Sequence, residues 1–221
     1  LSKMTVQMLF LCNPNNPTGN TIPEQILTEI LQFCASKKIR VVADECFLRF
    51  HPHYEKMSCK RFLKQYPNLL IVNAFTKFYA MAGLRLGYLM TGDLSLLHAV
   101  AQQLPEWNVS SIAQRAGISA LQDTEYEKRT RQLIEKERRY LIQEFLKMGC
   151  TVFPSEADYI TFRLPQEKTG FLLKERLLEG KILIRSCANY RNMPPDCYRI
   201  AVKQHADNEE LVRQVWRILI Q

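Results

Sequence analysis

Thr76-Lys77-Phe78-Tyr79-Ala80-Met81-Ala82-Gly83-Leu84-Arg85-Leu86-Gly87 follows directly on the uncharged run 69–75. A largely apolar run of that length, broken only by Asn73, reads as a strand covered on both faces, the kind found in parallel sheets. Working outward from it, residues 39–43 form a second such run, broken only by Arg40, which ends at Ala43-Asp44-Glu45-Cys46-Phe47. Residues 8–12 form a third, read as a buried strand ending in the turn-rich segment Asn13-Pro14-Asn15-Asn16-Pro17-Thr18-Gly19. Residues 86–90 predict one more strand before the turn at 91–93. Between the first two strands, Ile26, Ile30, Leu31 and Phe33 roughly follow a helical period and predict a helix over 23–37, with Pro23 tolerated in its first turn. Strands alternating with a helix predict an α/β domain with a largely parallel sheet.

The pattern changes after Gln122. Leu133, Leu141, Phe145 and Met148 predict one long helix over 125–148, with Glu127/Arg131 and Glu135/Arg139 as i,i+4 pairs and Gly149 as its C-cap. Strands are expected at 151–153, 159–163, 182–187 and 198–203, with helices at 169–179 and 208–220. The reading is two domains: 1–120, part of a large α/β domain, and 121–221, a smaller α+β domain. The chain begins almost on an interior strand, so an N-terminal portion of the large domain is expected to precede it.

Composition excludes several classes. With 47% hydrophobic and 24% charged residues, the 221-residue chain can bury a sizeable core. No stretch reaches the roughly 20 apolar residues of a membrane span. Run 8–12 is too short for a signal-peptide core and lacks a small-residue cleavage site. A cytoplasmic protein with no membrane partner is expected. The net charge of +8 is spread along the chain without a basic stripe, so it reads first as a solvated basic surface; nucleic acid is not expected, and a phosphorylated substrate is the further reading. Seven cysteines without a C-x-x-C pair argue for reduced thiols rather than a disulfide framework or zinc site. His51, His53, His98 and His205 show no metal-ligand spacing.

Three polar segments therefore sit at the ends of predicted strands, where open α/β sheets bind ligands. An aldehyde cofactor with a ring nitrogen and a phosphate needs a lysine amine to attach to. It also needs a carboxylate to keep the ring nitrogen protonated, a cation for the phosphate and a donor for the ring oxygen. Lys77, Asp44, Arg85 and Asn16 supply one group for each task.

N-P-N-N-P-T-G at 13–19, an aspartate after an apolar strand, and T-K followed by G-L-R-L-G at 83–87 resemble fold type I pyridoxal-phosphate enzymes of the histidinol-phosphate aminotransferase group. The resemblance covers essentially the whole chain. It implies the aspartate aminotransferase-like fold, pyridoxal 5'-phosphate as cofactor, and a homodimer. Position by position, it implies Lys77 as the cofactor lysine and Asp44 at the pyridine nitrogen. Asn16 matches the donor to the ring oxygen, and Arg85 the phosphate arginine with Thr76 beside it. Arg199 matches the arginine for the substrate carboxylate. It also implies that the remaining phosphate loop and the ring-stacking aromatic lie in the preceding part.

Two positions depart from the pattern. Phe47 stands where the group has a tyrosine, three residues after Asp44, and cannot donate to the ring oxygen. Ala74 stands where the group has a hydroxyl, three residues before Lys77, which removes one phosphate contact.

The stretches T-K-F-Y-A-x-x-G-L-R-L-G-Y at 76–88 and I-L-I-R-S-C-A-N-Y at 182–190 resemble the threonine-phosphate decarboxylase family of the cobalamin pathway, and Phe47 suits that family better. That resemblance implies conversion of L-threonine O-3-phosphate to aminopropanol phosphate and carbon dioxide. Arg185 and Arg199 are then candidates for the carboxylate and phosphate of a small phosphorylated amino acid. The alternatives are a histidinol-phosphate-type aminotransferase and, in another class, a non-catalytic aminotransferase-like regulatory domain.

Overall fold

A computed structural model describes residues 5–168 and 172–220. They form two compact units, one of residues 5–15 and 21–127, the other of 16–20, 128–168 and 172–220.

In the first unit, β1 (Met8–Cys12) leads through a loop to α1 (Glu24–Ser36), which returns the chain to β2 (Arg40–Asp44). A short helix, α2 (Tyr54–Met57), precedes β3 (Leu69–Ala74), and β4 (Gly87–Thr91) follows. The sheet order is β1-β2-β3-β4. The first two pairings are parallel, as expected, while β4 turns back antiparallel on β3. Val41, Val42 and Ala43 are buried on both faces of β2. Leu27, Leu31 and Cys34 of α1 pack with Val41, Ala43, Leu69 and Ile71 to form the core.

On β1, Leu9 and Leu11 pack on the core, while Met8 and Phe10, on the opposite face, are 43% and 71% exposed in this chain. In α1 the buried stripe is Leu27, Leu31 and Cys34 rather than one through Ile26, which is 46% exposed. Two helices were not anticipated: α3 (Leu94–Ala101), capped by Asp93, and α4 (Ser111–Gln122), capped by Ser110. Their outer faces carry exposed apolar residues, so helical periodicity was weak.

The long helix α5 runs Thr124–Lys147, within a residue of expectation at each end. Asp123 Oδ1 accepts from Tyr126 N at 2.8 Å at its start, and Gly149 has the left-handed φ of 77° just beyond its end. The compact units divide inside it, after Glu127.

The second unit holds β5 (Thr151–Val152), β6 (Tyr159–Arg163), α6 (Leu173–Glu179), β7 (Arg185–Ser186), β8 (Cys197–Ala201) and α7 (His205–Ile220). Its sheet is antiparallel in the order β5-β6-β8-β7. Ile134, Leu141 and Phe145 of α5 are buried, as is Met148 just beyond its end; Leu133, expected in that stripe, is 40% exposed. The strand expected over 182–187 is reduced to Arg185–Ser186. Of the helix expected over 169–179, residues 169–171 lie outside the described residues. All seven cysteines are free of disulfides. Among the described residues no helix is long and apolar enough to cross a membrane.

Candidate active site

Cys12, Asp44 and Val72 lie level with one another in the register of the three parallel strands. Their carboxyl ends therefore share one edge of the first sheet, the edge that binds ligands in open α/β folds. Asp44 closes β2, and its Oδ1 accepts from Cys46 N at 3.0 Å, which fixes the carboxylate at the strand end. Buried Asn13 holds the neighbouring loop: its N–H donates to the Asp44 carbonyl at 2.9 Å and its Oδ1 accepts from Ile22 N at 2.9 Å.

Lys77 sits exposed in the turn that follows β3, with Thr76 half-buried before it. Its Nζ lies 5.4 Å from the centre of the Phe47 ring. The Cys46 thiol is pushed up to about 12, first by burial and then by its hydrogen bond to Asp44 and that carboxylate's charge; the Lys77 charge pulls the other way. One thiol thus responds to both Asp44 and Lys77.

Phe75 N donates to the Leu86 carbonyl at 3.0 Å and closes the loop that brings Arg85 back to the same edge. Arg85 has a left-handed φ of 53°, and its Nη1 donates to the Ala82 carbonyl at 3.1 Å. Gly87 pairs with Ala74, and a Cβ there would lie 2.9 Å from the Asn73 carbonyl, which accounts for a glycine two residues after the arginine. The first unit thus brings the predicted Asp44, Thr76, Lys77 and Arg85 to one sheet edge.

The second unit brings together the other three. Arg185 of β7 and Arg199 of β8 are register partners. Arg199 Nη1 donates to Asn16 Oδ1, and Tyr190 Oη donates to the same oxygen at 3.2 Å. Asn16 therefore keeps its Nδ2 hydrogens for other acceptors. Arg185 Nη2 donates to Asn189 Oδ1 at 3.0 Å. The Arg199 guanidinium lies 5.0 Å from the centre of the Tyr159 ring and that of Arg185 5.8 Å from Tyr190, within cation–π range. Burial pushes the Cys187 thiol up, and the charges of Arg199 and Arg185 oppose it.

The loop carrying Asn16 is tied down within this unit. Thr161 Oγ1 donates to the Pro17 carbonyl, and Glu156 N donates to the Gly19 carbonyl at 2.8 Å. Gly19 has φ 87°, and a Cβ on it would meet Ser155 Oγ at 2.2 Å.

Sequence reasoning did not find Asn189, Tyr190 or Tyr159. Asn189 and Tyr190 belong to the 182–190 stretch already singled out, so the motif carried the signal; Tyr159 had none beyond its strand. Glu127 also holds Arg49 and Tyr79, contacts that sequence reasoning did not find.

A mixed α/β sheet with its polar groups at the strand ends, followed by an α+β unit, is the fold type I, aspartate aminotransferase-like architecture. The chain belongs to the aminotransferase class I and II family, whose profile matches residues 1–215. It is 37% identical over 212 residues to the threonine-phosphate decarboxylase of Salmonella typhimurium, covering 96% of this chain and 57% of that protein. It is 32% identical over 216 residues to the histidinol-phosphate aminotransferase of Clostridium kluyveri, covering 97% of this chain and 58% of that protein. The crystal structure of the histidinol-phosphate aminotransferase from Clostridium acetobutylicum superposes with a TM-score of 0.90 at 31% identity, over 97% of this chain and 64% of that one. The chain thus spans less than two thirds of the length of these relatives.

Proposed function

We propose that this chain is part of a pyridoxal 5'-phosphate enzyme that decarboxylates L-threonine O-3-phosphate to (R)-1-aminopropan-2-yl phosphate and carbon dioxide, within cobalamin biosynthesis. The observation that carries the reading is the register pairing of Arg185 with Arg199, two cations side by side that suit a substrate with two anionic groups. Identity to a threonine-phosphate decarboxylase supports the choice of reaction.

The residues at the first sheet edge fit the cofactor. A lysine amine, a strand-end carboxylate and a guanidinium match its aldehyde, ring nitrogen and phosphate, with Lys77, Asp44 and Arg85 as the holders and Thr76 beside them. When bound, pyridoxal phosphate supplies an electron sink for the pair left by a breaking bond at Cα.

Lys77 would hold the cofactor, and its Nζ would return a proton to the substrate Cα. Asp44 would keep a proton on the ring nitrogen. Arg185 and Arg199 each hold one anion of the substrate, and their hold decides which Cα bond is oriented for cleavage. Asn16 orients Arg199 through its Oδ1, and its Nδ2 would serve as a donor to the ring oxygen. Phe47 offers no hydroxyl there, in keeping with a decarboxylase.

A histidinol-phosphate-type aminotransferase is the second reading, favoured by the relatives of that name. In that reaction Lys77 would take the Cα proton instead. In either case the substrate is a small phosphorylated amino compound, and the enzyme is a cytoplasmic homodimer.

The test uses the full-length protein loaded with pyridoxal phosphate and given L-threonine O-3-phosphate. Catalytic carbon dioxide with the aldehyde cofactor intact is the expected result. Conversion of the cofactor to its amine form without carbon dioxide would overturn it in favour of the aminotransferase.

A further inference from the structure

The turn that carries Lys77 is held from below by groups that never reach the sheet edge. Phe78 and Tyr79, the two residues after Lys77, are 2% and 8% exposed. Tyr79 Oη donates to Glu127 Oε1 at 2.6 Å. The same oxygen accepts from Arg49, at 2.5 Å from Nη2 and 3.2 Å from Nε. Tyr126 Oη donates to the Phe78 carbonyl at 2.9 Å. The Arg49 guanidinium lies 5.1 to 5.7 Å from the ring centres of Tyr54, Phe78 and Tyr79. Phe75, at the start of the turn, stacks on Tyr79 with ring centres 5.1 Å apart.

Arg49 comes from the loop that follows Asp44, where Leu48 N donates to the Glu45 carbonyl at 3.0 Å. One carboxylate oxygen of Glu127 therefore clamps two loops. One follows β2 and carries Asp44; the other follows β3 and carries Lys77. Glu127 and Arg49 are partly buried, with 10% and 21% of their side chains exposed, so loss of the carboxylate would leave a guanidinium without its counter-ion among aromatic rings. Burial and the hydrogen bond to Glu127 hold the Tyr79 hydroxyl in its neutral, donating form.

We infer that Glu127 is a positioning residue for Lys77, acting through Tyr79 and Arg49 to set the Lys77 turn against the loop that carries Asp44. The inference rests on Lys77 as the cofactor lysine and is indifferent to which Cα bond is cleaved. The reach of Nζ depends on where the Lys77 Cα is held. The backbone bonds of the turn, Ala80 N to the Lys77 carbonyl at 3.0 Å and Met81 N to the Phe75 carbonyl at 3.3 Å, tie the turn only to itself. Glu127 ties it to the neighbouring strand-end loop.

The experiment compares the full-length protein with E127A, E127Q and Y79F, each loaded with pyridoxal phosphate. The readouts are borohydride trapping at Lys77 by mass spectrometry, visible circular dichroism per bound cofactor, kcat and KM separately, and the melting temperature. E127A and Y79F are expected to lose most of the visible dichroism and about ten- to a hundredfold in kcat, the effect of a misplacement near 1 Å. KM should change far less than kcat. E127Q keeps an acceptor oxygen for Tyr79 and is expected to retain more of the dichroism than E127A. A purely stabilising role would lower the melting temperature and leave dichroism and kcat of the folded variants unchanged; that result overturns the inference. If E127A does not fold, Y79F, which removes one hydroxyl and keeps the ring packing, decides on the same readouts. Absence of trapping at Lys77 in the parent overturns both the cofactor reading and this inference. Normal parent trapping with unchanged Y79F and E127Q overturns this inference alone.

Discussion

Arg185 and Arg199 face each other across β7 and β8, one pair of positive charges on one face of the second sheet. Like charges directly opposite weaken a strand pair. Asn189, Asn16 and the rings of Tyr190 and Tyr159 partly offset that cost. A ligand with two anionic groups removes it. Inorganic phosphate is therefore expected to raise the melting temperature of the parent, and to do so less in R185A or R199A. With substrate, each truncation should raise KM about ten- to a hundredfold, the loss of one charge-assisted hydrogen-bonding group. Unchanged KM in both would separate the arginines from substrate binding.

K77A should lose covalent attachment of the cofactor, read as absence of a borohydride-stable adduct. Its kcat should fall by at least about a hundredfold, the contribution of a positioned acid–base group. An adduct that persists in K77A would move the attachment to another lysine.

Ala74 is half-buried at the end of β3 opposite Gly87, two residues before Thr76. If a hydroxyl is missing from the phosphate contacts there, A74S should tighten pyridoxal phosphate about three- to tenfold, one hydrogen bond's worth. Equilibrium titration of the cofactor checks it, and weaker binding would place Ala74 away from the phosphate.

Gly19 combines a φ of 87° with a Cβ position only 2.2 Å from Ser155 Oγ. G19A is expected to destabilise the protein by about 1–3 kcal/mol, through backbone strain and overpacking together. Because Gly19 is close to Asn16 in the same loop, KM should rise as well. Urea denaturation alongside kinetics distinguishes the two effects.

Glu45 follows Asp44 and is buried, with its Oε2 accepting from Ser58 Oγ at 2.7 Å and its Oε1 from Cys59 N at 2.6 Å. Burial, and secondarily the charge of Asp44, hold its pKa above the usual glutamate range against those hydrogen bonds. The folded chain then binds this proton more tightly than the unfolded chain. The resulting stability is complete below the unfolded value of about 4.3 and is lost as pH rises through the higher folded value. E45Q should flatten the fall in melting temperature with pH across that window. An identical pH profile in parent and E45Q would show that Glu45 does not titrate differently on folding.

The strands and the chemical candidates were legible locally. Largely apolar runs at 39–43, broken by Arg40, and at 69–75, broken by Asn73, read as strands covered on both faces, and α5 spans enough turns for its period to show. Asp44 and Lys77 stood out because each lies just beyond such a run, and Arg85 because it sits in the G-L-R-L-G stretch at 83–87. What was missed was also local: α3 and α4 hid because their apolar residues are not confined to one stripe.

Residue types, order and spacing are properties of the chain itself, so the sequence alone determined the α/β class, the strand-end placement of Asp44 and Lys77, and the family resemblance. Register and long-range pairing are not. Only the folded structure set Arg185 level with Arg199, gave Asn16 to Arg199 across 183 positions, and brought Glu127 to Arg49 and Tyr79 across 78 and 48. Those contacts depend on how strands and helices from distant parts of the chain bury their apolar faces together, and no local pattern encodes which distant charge will meet which.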